Sequence, residues 1–371
     1  MSNPLHKNVL FVGGTFNDEG GRRSGLAEKL FNALMCSFEW GTSCTKYLNG
    51  GKWSEIEDID FVPYDQIYWF ADVPNDKPKI VSRIKQDNPK CMLITSKNNL
   101  DDKYESLEII GRALKSKSNL LVEFTRSQGM IEMTVWDALG NVYVWRNNNV
   151  EQVAEGITMR LRTLHSITRV PSVRVGDAIE APDRQEFFQF VQEHSRRFHS
   201  LVHAVNSDRF VGNLSFRCES GFPSFRDNGL IFVSRRNIDK RDISREGFVA
   251  VNPKSMSPVE YYGDHKPSVD TPIQVRLYHA FPKIRYMLHS HVYVEGAPFT
   301  KEVIPCGGVE ECMGVVLALN AEDDRSFFVV NLLGHGSIIG MDHPSRLSER
   351  PLLGLPIKYE ARPIPERIDL R

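Results

Sequence analysis

Residues 266–291 read "KPSVDTPIQVRLYHAFPKIRYMLHSH". Pro272 suits the first turn of a helix, where its missing N–H is not needed, and Asp270 and Thr271 stand just outside that turn. The helix should run through Leu277 and stop near Pro282. The apolar run "IRYMLHSHVYV" (284–294) follows and reads as a strand. Residues i and i+2 of a strand share a face, with Cα atoms about 6–7 Å apart, so His289 and His291 point the same way. Two satisfied core histidines fit this pattern. So does a pair converging on a divalent metal.

A third imidazole lies downstream in "NLLGHGSIIG" (331–340), where His335 sits between glycines after the apolar run "FFVVNLL". Flanking glycines let the backbone turn sharply and come close to a neighbour. The helix places the carboxylate of Asp270 where it can return toward His289 and His291. Three histidines and one carboxylate suit a zinc site that keeps a position open for substrate.

The remaining composition limits what such a site serves. A chain of 371 residues is long for one core and predicts two domains. Hydrophobic content of 41% and charged content of 25% are those of an ordinary globular protein. A net charge of −1 gives no electrostatic case for nucleic acid or an acidic membrane surface. The six cysteines form no Cys-x-x-Cys pair, which argues against a disulfide framework and for a reducing compartment. "MSNPLHKNVLFVGG" (1–14) lacks a basic-then-apolar signal pattern, and no apolar run reaches the roughly 18–20 residues that span a bilayer. The expected location is cytoplasmic, with no membrane partner.

Before the linker the pattern alternates. "NVLFVGG" (8–14), "QIYWFADV" (66–73), "CMLITS" (91–96) and "NLLVEFT" (119–125) read as strands. "SGLAEKLFNALM" (24–35), with Ser24 as N-cap, "KYESLEIIGRALKS" (103–116) and "VEQVAEGITMRLRTLHSI" (150–167) read as helices. Such alternation predicts a Rossmann-like α/β domain over residues 1–167, a three-layer, largely parallel sheet. Residues 168–185 have two prolines and little periodicity and read as a linker. The second domain is expected over 186–371, opening on the amphipathic helix "RQEFFQFVQEHSRRFHSLVH" (184–203). In the first domain, Gly13 and Gly14 end a strand, and Gly20 and Gly21 precede a helix. A glycine-rich loop there either offers backbone N–H groups to a nucleotide or nucleoside or is a plain tight turn.

From about Glu186 to Gly340 the chain resembles the class II aldolase/adducin family. The likeness rests on "FVGNLSFR" (210–217), on the 266–291 block and on "LLGHGSIIG" (332–340). The middle block is most similar to the ribulose-phosphate 4-epimerase branch, through Ser-x-Asp-Thr-Pro. The resemblance implies a class II aldolase-like α/β/α fold with zinc, or another divalent ion, on His289, His291 and His335. It implies Asp270 as the acidic residue that ligates the metal or acts as a base. By the same resemblance, the sugar or sugar-phosphate substrate chelates the metal, which stabilises an enediolate as a carbon–carbon bond breaks.

Phosphate binding carries over onto Gly212, Asn213, Ser215, Ser234, Arg235 and Ser268; Val269 departs from the family's second serine. Arg235 is equally a plain surface arginine. The stretch from His291 to Cys306 is shorter than in the epimerases and has no matching acid/base aspartate. Tyr293 and Glu302 are the candidates there, and Glu295 is also nearby. That shortening places retro-aldol cleavage first. A 4-epimerase, a dehydratase and a non-enzymatic adducin-like protein are the alternatives. Homotetramers are implied, with Tyr359 a candidate to reach a neighbouring subunit's site. The first domain is faintly similar to nucleoside deoxyribosyltransferase-like folds, with Glu108 the nearest counterpart of their catalytic glutamate.

Overall fold

The structure, a computed structural model, describes residues 7–37, 42–74, 76–77, 80–202, 212–218, 229–319, 325–349 and 354–356. The chain divides into two compact units at Ser166.

The first unit has seven strands: β1 (Lys7–Asn17), β2 (Thr42–Lys52), β3 (Gln66–Asp72), β4 (Met92–Asn98), β5 (Leu120–Ser127), β6 (Met130–Asp137) and β7 (Val142–Asn147). Their order is β2-β1-β3-β4-β5-β6-β7. β1 to β5 are parallel, and β6 and β7 add antiparallel strands at one edge. The order 2-1-3-4-5 is that of a doubly wound nucleotide-type fold. Side chains alternate between two layers, as strand geometry requires. Val9 and Phe11 pack under the helices α1 (Gly25–Ser37) and α5 (Val150–Ser166). Leu10 and Val12 pack under α2 (Ser54–Glu57) and α3 (Ile80–Asp87). Ser24 caps α1 as expected, its Oγ accepting from Ala27 N–H at 3.2 Å.

The glycine loop is a closed turn. Thr15 N–H donates to the Arg22 carbonyl, Gly21 N–H to Gly51, and Arg22 N–H to Thr15 Oγ1. Glu19 and Gly20 N–H both donate to Asn17 Oδ1. Gly14, at φ +74°, lies so near Gly50 that a Cβ would meet its nitrogen at 2.6 Å, and a Cβ on Gly21 would strike Thr15. Close packing, as in Gly13 against Ala27, accounts for the conformation here. Glu108 is placed by its contacts. It lies exposed on α4 (Ser106–Ser116), and its carboxylate accepts from Glu105 N–H in a capping box.

The second unit holds an eight-stranded sheet. Its members include β8 (Ser172–Gly176), β9 (Asn213–Arg217), β10 (Ile231–Ser234), β11 (Phe248–Val251), β12 (Val259–Tyr262) and β13 (Tyr286–Ser290). After the short β14 (Val292–Val294) come β15 (Phe327–Leu332) and β16 (Gly336–Met341). The order is β15-β16-β13-β9-β10-β11-β12-β8, antiparallel except for β12 with β8. The stretch expected as a linker therefore contributes an edge strand, and Ala181 is buried in the core. Its two prolines, Pro171 and Pro182, flank that strand rather than break it.

The sheet is covered on both faces. Ile231 and Val233 face α7 (Thr271–Ala280) and α8 (Glu310–Ala318), whereas Phe232 faces Phe187 and Val191 of α6 (Gln185–Val202). Three layers result, α/β/α. Among the described residues no helix is long and apolar enough to cross a membrane.

The pairing of β13 with β16 sets Ser290 opposite Ser337 and leaves Gly336 against the turn into His291. Gly336 has φ +122°, and a Cβ there would lie 2.0 Å from the Ser290 carbonyl oxygen and 2.6 Å from His291 Cα. Both the backbone angle and the space demand glycine. Gly336→Ala should lower the unfolding free energy by about 3 kcal/mol or more. Gly296→Ala, at φ +76° with open space around it, should cost only about 1–2 kcal/mol. Denaturant melts of both variants check this, and equal losses would contradict the collision.

Candidate metal centre

Each histidine arrives on a different part of one hairpin-like frame. His289 is on β13, His291 just past its end, and His335 in the turn between β15 and β16. The ring centroids stand 4.7 Å (His289–His335), 5.0 Å (His291–His335) and 5.1 Å (His289–His291) apart. One ligand nitrogen from each lies within 4.8 Å of the other two. His289 and His335 are buried and His291 is partly exposed.

The hydrogen bonds fix which nitrogens face inward. His289 Nδ1 lies 2.9 Å from the Ser337 carbonyl oxygen, so Nδ1 carries the proton and donates. Its Nε2 then holds a lone pair, and that buried atom has no hydrogen-bond partner. His335 Nδ1 is 3.0 Å from Glu311 Oε1, the carboxylate–imidazole pairing that orients metal-binding histidines. Its Nε2 lies 3.0 Å from Cys306 Sγ. Burial, helped by the neighbouring His335, pushes His289 down to about 4, and burial holds His291 well below the ordinary value. A neutral His289 whose buried Nε2 lacks a partner fits a divalent cation, and that orphaned atom is the one that most calls for one. Burial opposes charge on His335 too, but Cys306 and then Glu311 outweigh it and raise that group.

Asp270 borders the site, in a role that differs from a simple cap or ligand. It occupies the N-cap position of α7 without a side-chain cap bond. Its Oδ1 accepts from Gly307 N–H at 2.8 Å and its Oδ2 from Asn213 Nδ2 at 2.8 Å. Gln274 Nε2 donates in turn to Asn213 Oδ1. Asp270, Asn213, Gln274, His289 and Glu311 line one enclosed cavity of about 10 Å³, room for about one water.

The expected phosphate set separates. Gly212, at φ +82°, presses on the His289 carbonyl, and Asn213 pairs opposite His289 in the sheet. Ser215 and Ser234 are fully buried, one hydroxyl on Tyr278 Oη and the other accepting from Leu214 N–H. Those hydroxyls serve sheet packing rather than an anion. Ser268 is buried beside Asp270 and its carbonyl accepts from Thr271 Oγ1. Arg235 is partly exposed and its Nε has no hydrogen-bond partner.

Tyr293 and Glu302, the two proton-transfer candidates, have different surroundings. Tyr293 Oη accepts from Gly334 N–H at 2.8 Å, which braces the His335 turn. Glu302 is exposed, as is Glu295, and neither joins the imidazole cluster. Tyr359 lies outside the described residues. Sequence reasoning missed Glu311, Cys306 and Lys240. Lys240 is buried, and burial lowers its ammonium to about 8 against the pull of Asp239 and Asp270.

Comparison with known proteins follows the same blocks. Residues 193–317 match the model of the Class II Aldolase and Adducin N-terminal domain. The match includes Asp270, His289, His291, Cys306 and Glu311 and stops before His335. Methylthioribulose-1-phosphate dehydratase of Picosynechococcus sp. is 33% identical over 97 residues, 25% of this chain and 45% of that one. The chain thus spans less than half the length of that curated relative. Among solved structures, L-fuculose 1-phosphate aldolase is 15% identical at a TM-score of 0.31, covering 43% of this chain and 77% of that one. A DNA/pantothenate metabolism flavoprotein from Streptococcus pneumoniae is 11% identical at 0.33, covering 43% of this chain and 100% of that one. Scores this low add no weight to the assignment.

Lys240 supplies a pH test. Its proton leaves the folded chain near pH 8 and an unfolded lysine near 10.5. Between those values the unfolded state holds one proton more, so rising pH favours the fold. In chelator-treated protein, wild type should gain stability relative to Lys240→Met as pH rises from 8 toward 10.5, with no relative change below 8. Parallel stability–pH curves would contradict the burial of this amine.

Proposed function

We propose that residues 166–358 form a divalent-metal lyase, with zinc on His289, His291 and His335, that cleaves a carbon–carbon bond in a sugar or sugar phosphate. The observation that supports this most directly is the convergence of three imidazoles on a buried Nε2 with no partner. When bound, the cation supplies Lewis acidity to a substrate carbonyl or hydroxyl oxygen.

The chain's own groups do the rest. The Ser337 carbonyl and the Glu311 carboxylate hold two of the rings in one orientation each. Asp270 is fixed by Asn213 and the Gly307 amide, so it offers a pre-positioned negative charge beside His289. Burial raises the Glu311 carboxyl from its ordinary value, against the pull of the His335 ring it orients. Arg235 has a buried Nε without a hydrogen-bond partner, a donor for an anionic group of the substrate.

A second outcome on the same site is dehydration. The similarity of 97 residues to a methylthioribulose-1-phosphate dehydratase favours it.

Purified protein should hold about one divalent ion per chain, and His291→Ala should lose it together with lyase activity. Glu311→Gln should keep the fold but weaken metal binding about 10–100-fold, read by competition with a chromophoric chelator. Assays of a sugar-phosphate panel, scored separately for aldehyde release and for loss of water, distinguish the two reactions. Stoichiometric metal in a His289→Ala/His291→Ala double variant would sink the assignment.

A further inference from the structure

The first unit contains a cavity of about 420 Å³, the size of small-molecule sites. It opens toward the carboxyl ends of β4 and β5, where open parallel sheets take their ligands. None of its walls belongs to the metal centre.

The cavity has an anionic floor. Glu123 is buried, and each of its oxygens accepts one bond from a neutral donor: Asn99 Nδ2 at 2.6 Å and Trp136 Nε1 at 2.8 Å. Among the described residues no cation pairs with it. A carboxylate oxygen takes about two such bonds, so each has room for another donor. Thr125, two residues along β5, shares the face of Glu123. It is 3% exposed, lines the same cavity, and its Oγ1 has no partner. A buried hydroxyl left this way costs about 1–3 kcal/mol unless something bonds it.

The rim is aromatic and carries both charges: Arg146 lines it, Lys97 stands nearby, and the carboxylates of Asp102 and Glu105 line it too, Asp102 lying 3.8 Å from Arg146. Trp145 and Tyr104 line the cavity. The Arg146 guanidinium stands 5.2 Å from the Trp145 ring and the Lys97 ammonium 4.2 Å from the Tyr104 ring. Asp102 and Arg146, both lining residues, are held in left-handed backbone conformations at φ +49° and +37°. Such non-glycine conformations cost about 1–3 kcal/mol each and gather at ligand clamps.

We propose that this cavity binds a nucleotide through an amine-bearing base. The base amine donates to Glu123, Thr125 Oγ1 bonds a second polar atom of the base, and the Trp145 ring lies against the base, while Tyr104 holds Lys97 and Arg112 over its own ring at the rim. Arg146 and Lys97 meet the phosphate outside. A base with a carbonyl in place of the amine would set two acceptors against each other at Glu123.

Titration calorimetry on the full chain with CMP, UMP, AMP and IMP tests this, because each pair differs by one amine replaced with a carbonyl. CMP or AMP should bind about tenfold or more tightly than its carbonyl twin. Glu123→Gln should erase that preference, and the shape-conserving Thr125→Val should weaken binding several-fold. Arg146→Ala, at an exposed position, should weaken CMP or AMP but leave cytidine or adenosine unchanged. Failure of all four nucleotides to bind at millimolar concentration would overturn the proposal. So would equal affinity for the twins, or a preference that survives in Glu123→Gln. These results are independent of the metal centre, since no residue of that centre is altered.

Discussion

The close approach of Gly336 to the Ser290 carbonyl is the contact on which the second unit's site depends. It lets β16 pair with β13 through to the end of the strand. With that pairing in place, the Ser337 carbonyl meets His289 Nδ1 and His335 swings beside both other rings. Any side chain at position 336 would force the two backbones apart. The three imidazoles would then lose their common point before any of them was altered chemically.

Around that frame the polar groups are bound to one another in sequence rather than left to water. Asn213 sits opposite His289 in β9 and bonds Asp270, and Asp270 in turn accepts the Gly307 amide. Gly307 follows Cys306, whose sulfur touches His335. Glu311, four residues further on α8, closes the circle at His335 Nδ1. Buried polar groups tied this way resist rearrangement, because freeing one strands its partner without solvent. The site's rigidity therefore comes from five parts of the chain meeting at one place: β9, the start of α7, β13, the segment entering α8, and the turn between β15 and β16.

Much of this was legible in the sequence, for stated reasons. The His-x-His spacing needs only strand periodicity, and Pro272 marks a helix start by its missing N–H. The alternation of Val9, Leu10, Phe11 and Val12 between two layers also follows from period two. Other features were not legible. Glu311 stands in "VEECMGV", where two adjacent carboxylates in a first turn read as solvent-facing; only the packing of α8 buries one of them. Asp270 was legible as a carboxylate near the histidines, but local spacing cannot show Asn213 arriving from 57 residues away to hold it. Glycines 13 to 21 resembled a phosphate loop because composition does not reveal which N–H groups are already bonded. Residues 168–185 resembled a linker because an edge strand with a partner on one side needs little apolar periodicity. The common cause is that long-range pairing decides burial, and burial decides role.

The central claim is that His289, His291 and His335 share one cation. The most direct measurement is anomalous diffraction from a crystal of metal-loaded protein, recorded on both sides of the zinc absorption edge. The account predicts a single strong peak per chain, present only above the edge, in contact with His289 Nε2, His335 Nε2 and one ring nitrogen of His291. Density for three well-ordered imidazoles with no anomalous peak between them, in protein shown to contain zinc, would contradict it.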